Sequence, residues 1–383
     1  MRSSRLTISV LIGLSMLGMN SWGKKATGPQ GLEKTIPVTK ILNPAKPRFE
    51  DRAIILDEEL SIGNEKGSPE YTFSKIADLA VDEHGNIYAI DSNEAAVRIL
   101  NKEGRYVRTI GHRGQGFGEM EEPVFVQVTA QGELAVYDHH ESFTESFMLF
   151  YSLEGTFLRQ KKILPFAVYP IGMDSKGRLL GQYFFPPPDG RKLIAKIDAG
   201  GGAMEFGREM EYVKDKVLDI GRPSCYGALS PDDKVLYGDS KEYRLFLWSA
   251  DDQTVKMITK TFQRPREITE KDKEQYRKKY ADSLKKGVKI TFRARWPAFS
   301  GLFVDDEGRI FVRTYERTRE GLDSFYYDVF NKEGVYEAKV TIPVTLDNNS
   351  VWKNGKLYTI ETDTKGMPLI KRYRITWTTG GQR

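Results

Sequence analysis

Residues 79–111 read LAVDEHGNIYAIDSNEAAVRILNKEGRYVRTIG. An apolar strand runs into an Asp-x-x-Gly turn, and a second strand ends at Asp91. A third strand runs into an Asn-x-x-Gly turn and is followed by a fourth. The same order returns between Leu302 and Ile342, as LFVDDEGRIFVRTY and then YYDVFNKEGVYEAKVTI. Two tight turns per pass specify a four-stranded antiparallel blade. Repetition at about 45 residues specifies a ring of such blades, a β-propeller.

The inner turns can be found by glycine or its substitute, because a tight hairpin needs a positive φ that other residues adopt at a cost. They fall at Asp82–Gly85, Ala130–Gly132, Asp174–Gly177, Pro231–Lys234, Asp305–Gly308 and Lys353–Gly355, which makes six blades. Outer turns follow at Gly104, Gly155, Gly201, Asp252 and Gly334. The sixth blade has no clear fourth strand before the C-terminus. Residues 53–62, AIILDEELSI, resemble the outer strand YVRTI at 106–110, and the segments that follow each are also alike. The sequence therefore predicts an all-β, six-bladed propeller over 51–376. Its last blade is completed by an N-terminal strand, which removes a sheet edge.

Two segments break the repeat. Residues 24–50 are polar and contain proline, and read as a linker or arm; residues 377–383 read as a disordered tail. Residues 264–295 form an insertion between blades four and five. There Thr269 and Asp272 have the spacing of a capping box, and Gly287 sits where a helix would stop. Tyr276, Tyr280 and Leu284 recur every four residues as a docking stripe.

The run GHRGQGFGEMEEPVFVQV, together with the VDEHGNIYAIDSNEAAVRILNKEGRYVRTIG before it, resembles NHL repeats. The chain is similar to bacterial exported six-bladed propellers of that group. The likeness spans roughly residues 50–376 and is most specific in blade one and the loop leaving it. Some enzymes of this architecture hold a metal in the central channel. Peptidyl-α-hydroxyglycine α-amidating lyases use histidines from several blades; gluconolactonase-like propellers use Glu, Asn and Asp. Neither ligand set is matched residue by residue in this chain.

Export is also written at the N-terminus. Arg2 and Arg5 precede a 14-residue apolar run from Leu6 to Met19, and Ser21-Trp22-Gly23 supplies small residues for cleavage before Lys24. A spanning helix needs about 20 residues, so residues 1–23 read as a signal peptide, with an uncleaved anchor as the alternative. Contact with the membrane is then transient, and the product is periplasmic or extracellular. Cys225 is the only cysteine, so no internal disulfide forms. It reads as a buried thiol.

Charge is uneven. The insertion carries 12 Lys and Arg against 5 Asp and Glu, whereas the rest of the exported chain is mildly acidic. In a propeller this insertion shares a face with the turns between second and third strands, the usual ligand face. A basic cover there concentrates anions. Aromatic and basic residues cluster on the same face: Arg113, Tyr183, Arg293, Arg295, Trp296, Arg313 and Tyr315. Such residue types carry binding energy at interfaces, and aromatic faces stack on sugars. His112, His139 and His140 come from loops on that face and are the metal candidates. No G-x-S-x-G, P-loop or H-E-x-x-H element occurs. The reading is a non-catalytic binding module without a cofactor, for a protein, peptide or glycan ligand and not for nucleic acid. The competing reading is a lyase or lactone hydrolase with one divalent metal ion in the channel.

Overall fold

Several hairpins of the repeat are closed by the first residue of their own turn. Asp82 Oδ1 accepts the backbone N–H groups of His84 (2.9 Å) and Asn86 (2.8 Å). Asp174 does the same for Lys176 and Arg178, and Asp305 for Glu307 and Arg309. Asn101 and Asn331 repeat the device on outer turns. A short polar side chain thus satisfies two backbone donors that a sharp reversal leaves over. Gly85 follows at φ +84°. Blade four lacks the glycine, and Asp233 takes the left-handed position at φ +63°. Aspartate tolerates that region better than most side chains.

The structure, a computed structural model, describes residues 8–10, 34–63, 68–139, 146–163, 167–184, 192–198, 203–209, 217–261, 265–318 and 325–378. Six four-stranded antiparallel sheets are arranged as blades. Blade one spans Ile76–Ile110, blade two Glu122–Ile163, blade three Ala167–Glu209, blade four Cys225–Lys260 and blade five Gly301–Thr341. Blade six combines Val351–Lys353, Lys356–Thr362 and Pro368–Thr378 with Ala53–Ile62, which pairs antiparallel with the last of these. The N-terminal closing strand is therefore as the sequence predicts.

The core is six layers, one between each pair of neighbouring blades. Val97, Ile99 and Val136 lie in the layer of blades one and two; Leu236, Leu245 and Phe330 lie in that of blades four and five. Leu357, Tyr373 and Phe311 join blades five and six, and Ile62, Leu100 and Ile370 close six onto one. Burying each such side chain contributes about 1.5–3 kcal/mol. No layer is complete unless both of its blades are present.

Side chains also stitch the inner strands together around the axis. Asn349 Nδ2 donates to Ala77 O (3.0 Å), from blade six to blade one. Val126 N–H donates to Asp78 Oδ2 (2.9 Å), from two to one. The Gln127 amide donates to Met173 O and accepts from Met173 N, both at 2.7 Å, joining two to three.

Part of the arm at 24–50 is a strand rather than a linker. Val38–Asn43 adds a fifth, parallel strand to blade four against Val255–Lys260. Ile36 is buried in the layer between blades three and four. Asn43 is buried at the crossing to blade five: Nδ2 donates to Thr259 O (3.1 Å) and Gly334 O (3.0 Å), and Oδ1 accepts from Tyr336 N (2.8 Å). The N–H groups of Arg48 and Phe49 then bond to Tyr336 O and Glu337 O. Arg52 stacks over Phe49 (4.3 Å to the centroid) before the chain enters blade six. Residues 36–62 are thus a belt that runs over three consecutive blades. Of the proposed signal peptide only Ile8–Val10 is among the described residues, paired with Lys34–Ile36. Among the described residues no helix is long and apolar enough to cross a membrane.

The belt makes a quantitative prediction. Asn43→Ala leaves three backbone groups without their partner and should cost about 2–4 kcal/mol in urea unfolding. A loss below about 0.5 kcal/mol, the level of an ordinary surface change, would show that the belt is not clamped there.

Candidate functional site

The central channel opens on the loop face into a cavity of about 450 Å³. Its walls come from the places where inner strands begin and from second strands. Tyr226 and Gly227 start the inner strand of blade four, and Ser300 and Gly301 that of blade five. Gln182 and Arg313 stand within the second strands of blades three and five. Asp347, Asn348 and Asn349 come from the loop that enters blade six. The volume is within the usual range for small-molecule sites, about 300–1,000 Å³.

Arg313 is held rigidly. Nε donates to Ser300 Oγ (3.0 Å), Nη2 to Ser300 O (3.0 Å) and Nη1 to Leu346 O (2.9 Å). All three acceptors are neutral. Among the described residues no carboxylate lies within 4 Å of its guanidinium. The cation is half-buried, also meets the Tyr327 hydroxyl, and lies 5.7 Å from the Phe303 ring centroid and 5.9 Å from that of Phe325, all of them neutral groups. Asp347 shares the mouth, but its Oδ1 already accepts from Asn349 N and the Ser350 hydroxyl, both at 3.0 Å. The field of Arg313 reaches Tyr315, whose hydroxyl is pushed well up by burial and then by Tyr226 and Tyr276, with Arg313 opposing.

A second cavity, about 650 Å³, fills the channel toward the inner turns and shares Asn348 with the first. Asp78 is buried in its wall. Burial pushes this carboxyl up to about 8, against the hydrogen bonds from the Val126 and Leu79 backbone, and Asp347 raises it further. Its folded affinity for a proton therefore exceeds that of the unfolded chain. Stability from this group is fully present below about pH 4, is lost as pH rises through the window to about 8, and is level above it.

The predicted site residues separate into four groups. Arg313 lines the mouth, and Tyr315 stands behind it. Tyr183 is 2% exposed and belongs to the core between blades two and three, with its hydroxyl on Leu179 O. It lies at a strand end beside the proline run at 186–188, which is outside the described residues, and its ring faces the neighbouring blade. Arg113 is exposed but bonds Glu121 O (2.7 Å) and Asn93 O (3.2 Å), so it holds the loop of blade one. Arg293 pairs with Asp219, and Arg295 pairs with Glu267 and Pro265 O; both brace the insertion.

Trp296 is also structural. It is 2% exposed, stacks on Tyr315 at 4.6 Å, and has Tyr276 tilted against it at 5.5 Å. The insertion contains α1 (Glu270–Lys279) and α2 (Ala281–Lys285). Thr269 and Asp272 form the capping box, and Gly287 has φ +85°. Arg317 bonds Gln275 (3.1 Å) and lies 3.7 Å from Asp272. The strand Lys289–Phe292 then pairs in parallel with Val217–Ile220, so the insertion leans back over the loop that leaves blade three. Tyr276 docks as the spacing predicts, but Leu284 is exposed. Tyr280 is half-buried and stacks on Tyr276 at 6.2 Å, so the stripe consists of its two tyrosines without Leu284.

Two of the three candidate histidines are among the described residues. His112 is exposed, 3.9 Å from Glu119, and His139 packs edge-on against Tyr137 at 5.0 Å. His140 lies outside the described residues. Among the described residues no three His, Cys, Asp or Glu side chains are gathered for a metal ion. Cys225 is buried as expected. Gln182, Tyr226, Asn348 and Asn349 were not predicted. Their signal is positional: each is polar or amphipathic and borders an inner or second strand on the loop face, where an all-core strand end would be apolar.

A family-model match agrees with the architecture. A family model described as a 6-bladed beta-propeller matches residues 68–189. No curated protein matches the chain. A solved structure from Bacteroides fragilis, described as a candidate exported protein, is 12% identical and superposes with a TM-score of 0.48 over 88% of this chain and 99% of that one. A member of the DUF4221 family from Bacteroides vulgatus is 9% identical, with a TM-score of 0.48 over 87% and 100%. A gluconolactonase from Xanthomonas campestris is 12% identical, with a TM-score of 0.41 over 79% and 88%.

Two predictions arise here. Asp78→Asn removes the titration while keeping an acceptor for Val126 N–H. Melting temperature should fall between pH 5 and pH 8 in the parent and stay nearly flat in the variant over the same range; parallel curves would contradict the assignment. Tyr276→Ser should speed proteolytic cleavage within 270–289 severalfold and leave the propeller intact. Unchanged cleavage would mean that the stack on Trp296 does not hold the helices.

Proposed function

We propose that the protein is a non-catalytic binding module, working outside the cytoplasm, that captures an anionic group at the loop-face mouth of its channel. The observation that carries this reading is Arg313. A half-buried guanidinium has lost part of its hydration, and among the described residues its partners are neutral. An arriving anion supplies the missing counter-charge through charge-assisted hydrogen bonds, at no cost for ordering the arginine. Tyr226, Gln182 and the Asn348–Asn349 pair supply orientation around it.

The basic insertion has a different role in the same process. Lys273 pairs with Glu270, Lys278 with Glu274 and Lys285 with Asp282, so part of its charge is compensated locally. What remains acts at a distance, by raising the concentration of anions near the face. Binding is then local to Arg313, and the insertion contributes rate and salt dependence.

Isothermal titration with citrate as the probe tests this. Arg313→Gln should weaken binding by about tenfold to a hundredfold, the loss of one charged hydrogen-bonding group. Reversing Lys278, Lys279, Lys285 and Lys286 to Glu should slow association at low salt and matter little at high salt. If the Arg313 variant, shown to be folded by its melting curve, binds citrate as the parent does, the mouth is not the anion site.

A further inference from the structure

We infer that the anion taken at Arg313 is the carboxylate of a hydroxylated ring, a uronic-acid-type sugar at the end of an oligosaccharide. This rests on the reading of the mouth given above and narrows its ligand class.

Three features of the lining discriminate among anions. The first is Asp347. A compact polyanion such as phosphate would meet this carboxylate in the same cavity and be repelled by it. A ligand with one negative charge and several hydroxyl groups meets it differently. Asp347 Oδ1 is engaged with Asn349 N and Ser350, and a sugar hydroxyl can donate to its remaining lone pairs. The second feature is the amide content. Gln182 and Asn348 each offer a donor and an acceptor type in one side chain, and Asn349, whose Nδ2 already donates to Ala77 O, adds its carbonyl oxygen; this suits vicinal hydroxyls and gives a simple carboxylic acid little to bind.

The third feature is a flat apolar surface beside the charge. Tyr169 lies directly opposite Gln182 in the antiparallel pair, so the two side chains share one face of blade three. Tyr169 is 65% exposed, unusually open for an aromatic residue on an inner strand. Gln182 lines the mouth, so this exposed ring stands one cross-strand neighbour away from it. Tyr226 is in the wall itself. A pyranose ring has C–H faces that pack on aromatic rings while its edge carries the polar groups. Guanidinium, amides, one acceptor carboxylate and an open tyrosine match the four parts of a uronate: carboxylate, hydroxyls, hydroxyl protons and ring face.

The test titrates galacturonate-ended oligosaccharide, its neutral galactose counterpart, citrate and inorganic phosphate into the parent, Arg313→Gln, Arg313→Lys and Tyr169→Ala. Tyr169 is exposed, so its variant should fold. The two Arg313 variants keep the test valid if one of them fails to fold. The parent should bind the uronate at least about tenfold tighter than the neutral sugar or citrate. Tyr169→Ala should weaken uronate binding about five- to tenfold and leave citrate unchanged. The Arg313 variants should lose affinity for both. A uronate bound no better than citrate, or unaffected by Tyr169→Ala, overturns this inference while the anion site stands. Phosphate bound tightest overturns it in the same way. If the parent binds none of the anions, both this inference and the reading beneath it fall.

Discussion

The ring is closed by a strand from the other end of the chain, and every other feature depends on that pairing. Ala53–Ile62 lies antiparallel to Ile370–Thr378 with one bulge. Without it, blade six has three strands and an open edge. The layers it shares with blades five and one then lose Ile54 and Ile62. A propeller core is a cycle of interfaces, so weakening one strains the packing of its neighbours. The belt upstream extends the closure. Residues 36–52 fasten blade four to blade five through Asn43 before the closing strand begins. Contacts between residues 43 and 336 close a very long loop, which is slow to form but costs little more free energy than a medium one.

The site follows from the same geometry. Inner strands converge on the axis, and their ends on the loop face form the rim. A polar residue placed there faces the cavity because the apolar layers begin just below it. Arg313, Gln182, Tyr226 and the 347–349 loop occupy such places on blades three to six. On the opposite face the inner turns tie to one another: Ser175 N–H to Asp233, Gly355 N–H to Asp306 and Asn354 to Glu83 O. Their carboxylates are engaged with backbone donors of neighbouring blades. Acidic residues on that face tie neighbouring blades together, and Arg313 is on the other face.

Much of the fold is legible because its devices are local. An Asp or Asn that caps its own turn leaves a four-residue signature, and a capping box leaves one too; both are seen at Asp82, Asn331 and Thr269. The closing strand was legible through its likeness to Tyr106–Ile110. The strand Val38–Asn43 was not, because its partner is more than 200 residues away and its pairing is parallel, with no turn to announce it. The site was harder to read for a related reason. Whether an aromatic residue lines a cavity or fills a layer depends on which neighbour it faces. Tyr183 and Trp296 point into packing, whereas Tyr226, less conspicuous in sequence, borders the channel. Arg313 was recognisable as a basic residue on the loop face, but that no described carboxylate pairs with it is visible only in three dimensions.

The central claim is that one guanidinium, Arg313, is the anchor for an anion. Its side-chain Nε–H resonance, assigned by comparison with Arg313→Lys, can be followed by ¹⁵N NMR during titration with a galacturonate-ended oligosaccharide. The account predicts that this resonance shifts and saturates with the same midpoint as the heat of binding, while the lysines of α1 and α2 stay nearly still. Saturable shifts confined to those lysines, with Arg313 unmoved, would contradict it.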